Sequence, residues 1–292
     1  MGFSVKEVKF TDKYLLFLTE PESAGPWFSF KLKGKTLGDV PVPVVLKNIE
    51  PTPIYQLVNS RKGTKIDRIT LDFDIKEYLK KLIKEEKLNP IPFKDEQHKI
   101  RLYIDVFLRR GQAPYMNTYF TVKNISSFAL IDFSMYFIFD FDINGLQGFD
   151  NDVSGYDAEN DIIYQYDKTG VHAGFSTISK PTHYESSLTK DFKIDNENLN
   201  LSNTIYPEPG EILSALQIEF KTLEPEQSFQ TALTISGGFS KEELFQNISD
   251  GKRDAMNYLG QVYRSIRSDQ RNKQEEIYIK LNLQKAEGCN DE

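Results

Sequence analysis

The sequence predicts a mainly-β protein built on a pair of packed antiparallel sheets, with one helix near residues 75–87 and a helical C-terminal segment. Three observations carry that expectation. Aromatic residues make up 13% of the chain, with 21 Phe and 15 Tyr, and these fill a pleated surface better than a helix seam. Apolar and polar residues alternate through Ile100–Leu108, Phe133–Phe141 and Ile212–Lys221, the period-2 pattern of strands with one buried face. Turn and breaker residues separate these runs, as at Gly111–Pro114, Leu223–Glu226 and Gly237–Gly238.

In chain order, Val5–Phe10, Tyr14–Leu18, Trp27–Leu32 and Val42–Leu46 read as short strands. The PVPVV and EPTP segments read as edge strands or extended connections, because proline cannot donate to a ladder. Ile66–Phe73 is a further strand. Asp74 then caps a helix in which Ile75, Tyr78, Leu79, Leu82 and Ile83 follow the apolar spacing of one helix face. Asn89-Pro90 ends it. From Lys99 the pattern turns strongly β, with Tyr115–Lys123 as the next strand and Ile162, Tyr164 and Tyr166 on a short later one. The run from Ile212, the turn at Leu223-Glu224-Pro225-Glu226 and Phe229–Ile235 read as a β-hairpin. Ser240 with Glu243 is a capping box that opens a helix at Lys241, and a second helix is expected from Lys252 to about Asp269. Ile277–Leu283 is expected as a last strand. The whole reads as one domain over 1–292: N-terminal strands and helix to 95, sandwich core 96–239, helices 240–275, strand and tail 276–292.

Composition removes several classes of function. A formal net charge of −7 and a pI near 5.3 argue against nucleic acid or an anionic membrane as partner. The single cysteine, Cys289, allows neither an internal disulfide nor a cysteine-based metal site. The start MGFSVKEVKF has no apolar leader core, and no apolar run reaches membrane-spanning length, so a cytoplasmic protein is expected, with removal of a leader left open. Asn124-Ile-Ser126, Asn200-Leu-Ser202 and Asn247-Ile-Ser249 match the glycosylation sequon and are read as chance.

The chemically distinctive stretch is Asn124–Asp167, which holds eight Asp and one Glu and no Lys, Arg or His. Phe133, Met135, Phe137, Phe139 and Phe141 share one parity of a strand that delivers Asp140-Phe-Asp142-Ile-Asn144-Gly145, the first half of a D-x-[DN]-x-[DN]-G calcium loop. Calcium takes about six to eight hard oxygens, and alternate side chains before a glycine turn supply some of them. Asp150, Asp152 or Asp157 would complete the shell. The flanks are strands and position twelve is Asn151, so an EF-hand is excluded and a calcium loop on a β scaffold is the form left open. Beside it stands a plain solvated loop, acidic because Asp and Asn suit turns. No cofactor is required. Asp140 and Asp142 also share a strand face roughly 6.5–7 Å apart, a spacing that permits inverting glycoside hydrolysis and that any such pair would satisfy.

Three histidines are present, His98, His172 and His183. His172 and His183 flank one strand-turn region, yet no metal-binding spacing such as H-x-H accompanies them. Trp27, the only tryptophan, stands in Gly-Pro-Trp-Phe, read as a loop that the ring either anchors or presents to a ligand. Tyr156, Tyr164 and Tyr166, beside the acidic loop, form a second candidate platform.

One order of pieces goes further. A strand ends in TVKNIS and a longer one closes on Asp-Phe-Asp. An acidic Gly/Asn loop follows, then Thr169-Gly-Val-His-Ala-Gly-Phe-Ser176, a long β-hairpin over a Leu-x-Pro turn, and SGGFSKEELFQNI. Over residues 95–255 this resembles the β-supersandwich domain, of galactose-mutarotase-like fold, that precedes the helical barrel of glucoamylase-like glycoside hydrolases. The resemblance implies a supersandwich and a carbohydrate-related ancestry. In that family the acid and base carboxylates lie in the barrel, for which the roughly 50 residues after the sandwich-like region leave no room. No mutarotase-style histidine is seen either, so no catalytic residue carries over. The function expected is a non-catalytic carbohydrate-binding or interaction module. A carbohydrate-active enzyme using the acidic loop, of epimerase or hydrolase type, and a structural or assembly subunit are the alternatives. A carbohydrate, a protein or a second copy of the chain are the partners left open.

Overall fold

The computed structural model describes residues 8–10, 13–16, 26–34, 39–44, 52–59, 65–90, 98–107, 113–143, 148–194 and 198–260. Two compact units divide the chain, Met1–Lys252 and Arg253–Glu292. Of the second, residues 253–260 are described and are helical. Asn144, the expected strand Ile277–Leu283 and Cys289 lie outside the described residues.

The first unit is mainly antiparallel β, as the sequence predicts. Its strands are β1 (Val8–Phe10), β2 (Lys13–Leu16), β3 (Trp27–Lys33), β4 (Asp39–Val44), β5 (Thr52–Asn59), β6 (Lys65–Asp74), β7 (Lys99–Phe107), β8 (Tyr115–Asn124), β9 (Leu130–Asp140), β10 (Asp142–Ile143), β11 (Val153–Asp157), β12 (Ile162–Tyr166), β13 (His172–Thr177), β14 (His183–Leu188), β15 (Ile212–Leu223) and β16 (Ser228–Gly238). An eight-stranded sheet runs β11-β12-β13-β16-β8-β7-β6-β5 and a five-stranded sheet runs β14-β15-β9-β3-β4. A small third sheet joins β1, β2 and β10. The two large sheets meet through interleaved aromatic rings: Phe28 of β3 on Phe73 of β6 at 4.7 Å, and Phe139 of β9 on Phe175 of β13 at 4.8 Å.

The proline-bearing strands take the places that chemistry allows. β4, with Pro41 and Pro43, is the edge of the five-stranded sheet, and β5, with Pro53, is the edge of the eight-stranded one. Helix α1 (Lys76–Lys84) starts where Asp74 Oδ1 accepts the Lys76 amide at 2.9 Å, and it buries Leu79 and Leu82. It stops short of residue 87. Glu86 takes a left-handed φ of 58°, the Lys87 amide bonds back to Leu82 and the Glu86 amide to Ile83. That is a Schellman ending without its usual glycine, and so without a sequence signal.

Two further expectations are corrected. β15 and β16 do not pair as a hairpin. β15 lies between β14 and β9, and β16 between β13 and β8, so the turn at Leu223–Gln227 carries the chain from one sheet to the other. Strong alternation on both strands reports facing buried surfaces, and two sheets packed face to face satisfy that as well as a hairpin does. β9 has two buried faces, not one, with every residue from Phe133 to Asp140 buried. Part of its second face is covered by the chain at Leu199: Tyr136 donates its hydroxyl to the Leu199 carbonyl, and the Ser29 hydroxyl donates to Tyr136 Oη at 2.6 Å.

Helix α2 begins at Lys241 as the capping box requires. Ser240 Oγ accepts the Glu243 amide at 3.2 Å, and Glu243 Oε2 accepts the Phe239 amide at 2.7 Å. Gly251 and Lys252 are already helical, so the start expected at Lys252 is not a start. Within the first unit this helix lies on the eight-stranded sheet. Asn117 donates to the Gly251 carbonyl at 3.0 Å, and Asn247 to the Gly237 carbonyl at 3.0 Å.

Candidate ligand-binding site

The face of the eight-stranded sheet turned away from the sandwich core carries the candidate site. β11, β12 and β13 are in register so that Gly155, Tyr164 and Gly174 form one row and Val153, Tyr166 and His172 the next. Ile163, Gln165 and Phe175 point the other way and are buried. The Tyr164 ring leans over Gly155, where a Cβ would stand 2.5 Å from the ring's Cζ. Tyr164 and Tyr166 have centroids 6.1 Å apart with planes 27° apart, and Tyr166 and His172 are 5.1 Å apart at 14°. Tyr164 and His172 are themselves 6.4 Å apart with planes 31° apart, so the three half-buried rings form a triangular cluster across two strands.

Helix α2 adds to this cluster residues that the sequence reading missed. Phe245 meets Tyr164 edge-on at 5.5 Å. The Lys241 ammonium lies 5.1 Å from the centroids of both Tyr164 and Phe245, a cation held over two π faces. Phe239, 44% exposed, follows Gly238, the register partner of His172. The capping box located the start of α2 in the sequence, but nothing local encodes which sheet face the helix covers.

The other predicted aromatics lie elsewhere. Tyr156 points to the inner side of β11, stacks on Tyr184 at 3.9 Å and donates its hydroxyl to Asp161 at 3.1 Å. Burial, with Asp161 second, pushes the Tyr156 hydroxyl pKa up. Trp27 is the first residue of β3 rather than part of a loop, is 8% exposed, and packs against Phe192 at 6.2 Å. It anchors the chain over β9. His183 sits across from Gln217 in the five-stranded sheet, 3.6 Å from Glu219, so His172 and His183 belong to different sheets.

Of the predicted metal ligands, Asp140, Asp142 and Asp152 are brought together and buried, at 6%, 4% and 1% exposure. Asp152 Oδ2 accepts the Ile143 amide at 3.2 Å, while Oδ1 has no hydrogen-bond partner. Asp140 Oδ2 accepts the Thr189 hydroxyl at 3.2 Å. Desolvation first, and then neighbouring carboxylates, push Asp140 up to about 7 and Asp152 up to about 9. Asp150 is exposed beside Asn151, and Asp157 caps the β11–β12 turn by accepting the Asn160 amide at 2.9 Å. Among the described residues, no three His, Cys, Asp or Glu side chains are arranged as metal ligands.

Asn124, of the first sequon, is fully buried and makes four internal hydrogen bonds, which leaves no room for a glycan. No described helix is long and apolar enough to cross a membrane.

No family model and no curated protein matches the chain. Among solved structures it is similar to a bacterial glucoamylase complexed with acarbose, at 12% identity and a TM-score of 0.49, over 86% of this chain and 32% of that one. It is similar to a polysaccharide lyase at 9% identity and a TM-score of 0.41, over 80% of this chain and 30% of that one. A GalM/aldose epimerase homologue from C. elegans matches at 6% identity and a TM-score of 0.41, over 79% of this chain and 89% of that one. The chain spans about a third of the length of the glucoamylase and of the lyase. The glucoamylase and the epimerase homologue are of the two kinds that the order of sequence pieces resembles. With every one of these TM-scores below 0.5, neither the site nor an activity is read from them.

Proposed function

We propose that the chain is a non-catalytic carbohydrate-binding module whose binding surface is the aromatic cluster of Tyr164, Tyr166 and His172. The observation that carries this reading is the cluster itself: three half-buried rings packed together, with the Lys241 ammonium beside them, on a face turned away from the core. A sugar ring offers an apolar C–H face and a polar hydroxyl edge, and aromatic planes with polar neighbours complement both. The hydrolase alternative gains no support from Asp140 and Asp142, because each is under a tenth exposed and a polysaccharide cannot reach them. The test is a glycan array probed with the full chain and with Tyr166→Ala. Selective binding by the native chain that the variant loses supports the reading. Silence of the native chain across the array, or an unchanged pattern in the variant, removes it.

A further inference from the structure

The turn that precedes β13 fixes both the place and the tautomer of His172. Asp167, 5% exposed, accepts the Thr169 amide at 2.9 Å and the Thr169 hydroxyl, and its carbonyl accepts the Gly170 amide at 3.1 Å. Gly170 takes a left-handed φ of 79°, which glycine adopts without strain. Its carbonyl oxygen lies 3.0 Å from His172 Nδ1, and a carbonyl cannot donate, so Nδ1 carries the proton. In the neutral ring this leaves Nε2 as an acceptor. Nε2 makes no hydrogen bond to the described residues and is not one of the buried atoms left without one, so it is open to solvent. The ring also stacks on Tyr166, 14° from parallel, so its orientation is set twice over.

The side chains packed around it differ in what they offer. The Lys241 ammonium only donates, the Tyr164 and Tyr166 hydroxyls donate or accept as they rotate, and Phe245 does neither. Of these five side chains, His172 alone presents a group that only accepts. Resting on the reading above, we infer that His172 Nε2 orients the bound sugar by accepting a hydrogen bond from one hydroxyl at the edge of a pyranose stacked on Tyr166. The ligand class is then a glycan with a free hydroxyl donor at that edge, whatever its net charge. His172 is a specificity-determining residue, held ready by the 167–170 turn. Stacking alone accepts many sugars, whereas an acceptor of fixed direction disfavours one that brings no donor to it.

The experiment titrates the full chain with tetrasaccharides of glucose, mannose, xylose and galacturonic acid. The tightest binder is then compared with its deoxyfluoro derivatives, each with fluorine in place of one hydroxyl, which removes the donor at nearly the same size. His172→Phe keeps a flat ring beside Tyr166 and removes the acceptor. One derivative is expected to bind the native chain about tenfold more weakly than the parent sugar does, and His172→Phe to weaken binding of the parent about tenfold. The two losses should not add: in His172→Phe, that derivative and the parent bind alike. Additive losses, no weakened derivative, or unaltered binding of the parent by His172→Phe overturns the inference. If that happens while Tyr166→Ala abolishes binding, the inference falls and the proposed function stands. If the native chain binds none of the four, both fall. Should His172→Phe melt early, the nitrogen resonance of Nε2 in the native chain decides. A shift with the parent that is absent with the weakened derivative supports the inference. Equal shifts, or a proton found on Nε2 in the free chain, overturn it.

Discussion

The side-chain amide of Asn124, at the end of β8, donates 2.8 Å to the carbonyl oxygen of Leu223, at the end of β15. The same nitrogen donates to the Phe128 carbonyl at 2.8 Å, and Oδ1 accepts the amide and hydroxyl of Ser126. Residues 125–129 carry the chain from the eight-stranded to the five-stranded sheet, and Glu224–Gln227 carry it back. One buried asparagine therefore ties both crossings. Asn124→Ala removes the side-chain partner of the Leu223 carbonyl and of the Ser126 amide, while the Phe128 carbonyl keeps the Ser126 hydroxyl, and is expected to lower stability by about 2–4 kcal/mol in urea denaturation. Asn124→Asp, which turns an acceptor toward the two carbonyls, should cost at least as much. A loss under half a kcal/mol, on the order of an ordinary surface change, would show that the crossings do not depend on it.

Gly155 is where Tyr164 comes closest to the neighbouring strand, with the ring Cζ and Oη both 2.5 Å from the place of a Cβ. Gly155→Ala must push the ring away, at an expected cost of about 1–3 kcal/mol. Because the displaced ring belongs to the aromatic cluster, glycan affinity should fall in the same variant. Retained stability and retained affinity together would mean that Tyr164 does not need its position over the glycine.

Asp140 and Asp152 set a pH dependence whose sign follows from burial. Both are raised above the ordinary carboxylate value of 3.8, to about 7 and about 9. The folded state therefore holds their protons more tightly than the unfolded state. The stabilisation is fully present below about pH 4 and is lost as pH rises through 7 and 9. The melting temperature should fall between pH 5 and pH 9, and Asp152→Asn should flatten the upper part of that fall. Asp142, Asp167 and Glu211 are the charged neighbours that steepen it. Calcium held by these acids would give the reverse: a higher melting temperature at pH 8 on adding calcium to the native chain, absent in Asp152→Asn.

Tyr136→Phe serves as a control on the opposite sheet. It removes the hydroxyl that Ser29 and the Leu199 carbonyl share. A loss of about 1–2 kcal/mol is expected, with glycan binding unchanged. Weakened binding in this variant would place the site on the five-stranded sheet instead.

Strand identity was legible in the sequence where apolar and polar residues alternate, as in Ile100–Leu108 on β7 and Ile212–Lys221 on β15, although β15 is buried on both faces from Ile212 to Ile218. Edge positions were legible from Pro41, Pro43 and Pro53, which can serve only where a donor is not needed. Pairing was not. Alternation at β15 and β16 marks extended chain and says nothing about whether the two strands share a sheet. The second cover of β9 was hidden for a related reason. Ser134 and Tyr136 look like solvent residues, yet they are buried through hydrogen bonds to Gln217, Ser29 and Leu199, supplied from far along the chain. Tyr164, Tyr166 and His172 were visible as candidates, whereas Lys241 and Phe245 join them only because α2 docks on that face.

The most direct measurement is titration calorimetry of the full chain against the best-bound oligosaccharide of the glycan array, for the native protein and Tyr166→Ala, alongside their melting temperatures. Removing this ring of the cluster should weaken binding by about 10- to 30-fold while the melting temperature stays within a few degrees. Equal affinity in the two proteins, at equal stability, would contradict the assignment of the aromatic cluster as a carbohydrate-binding surface.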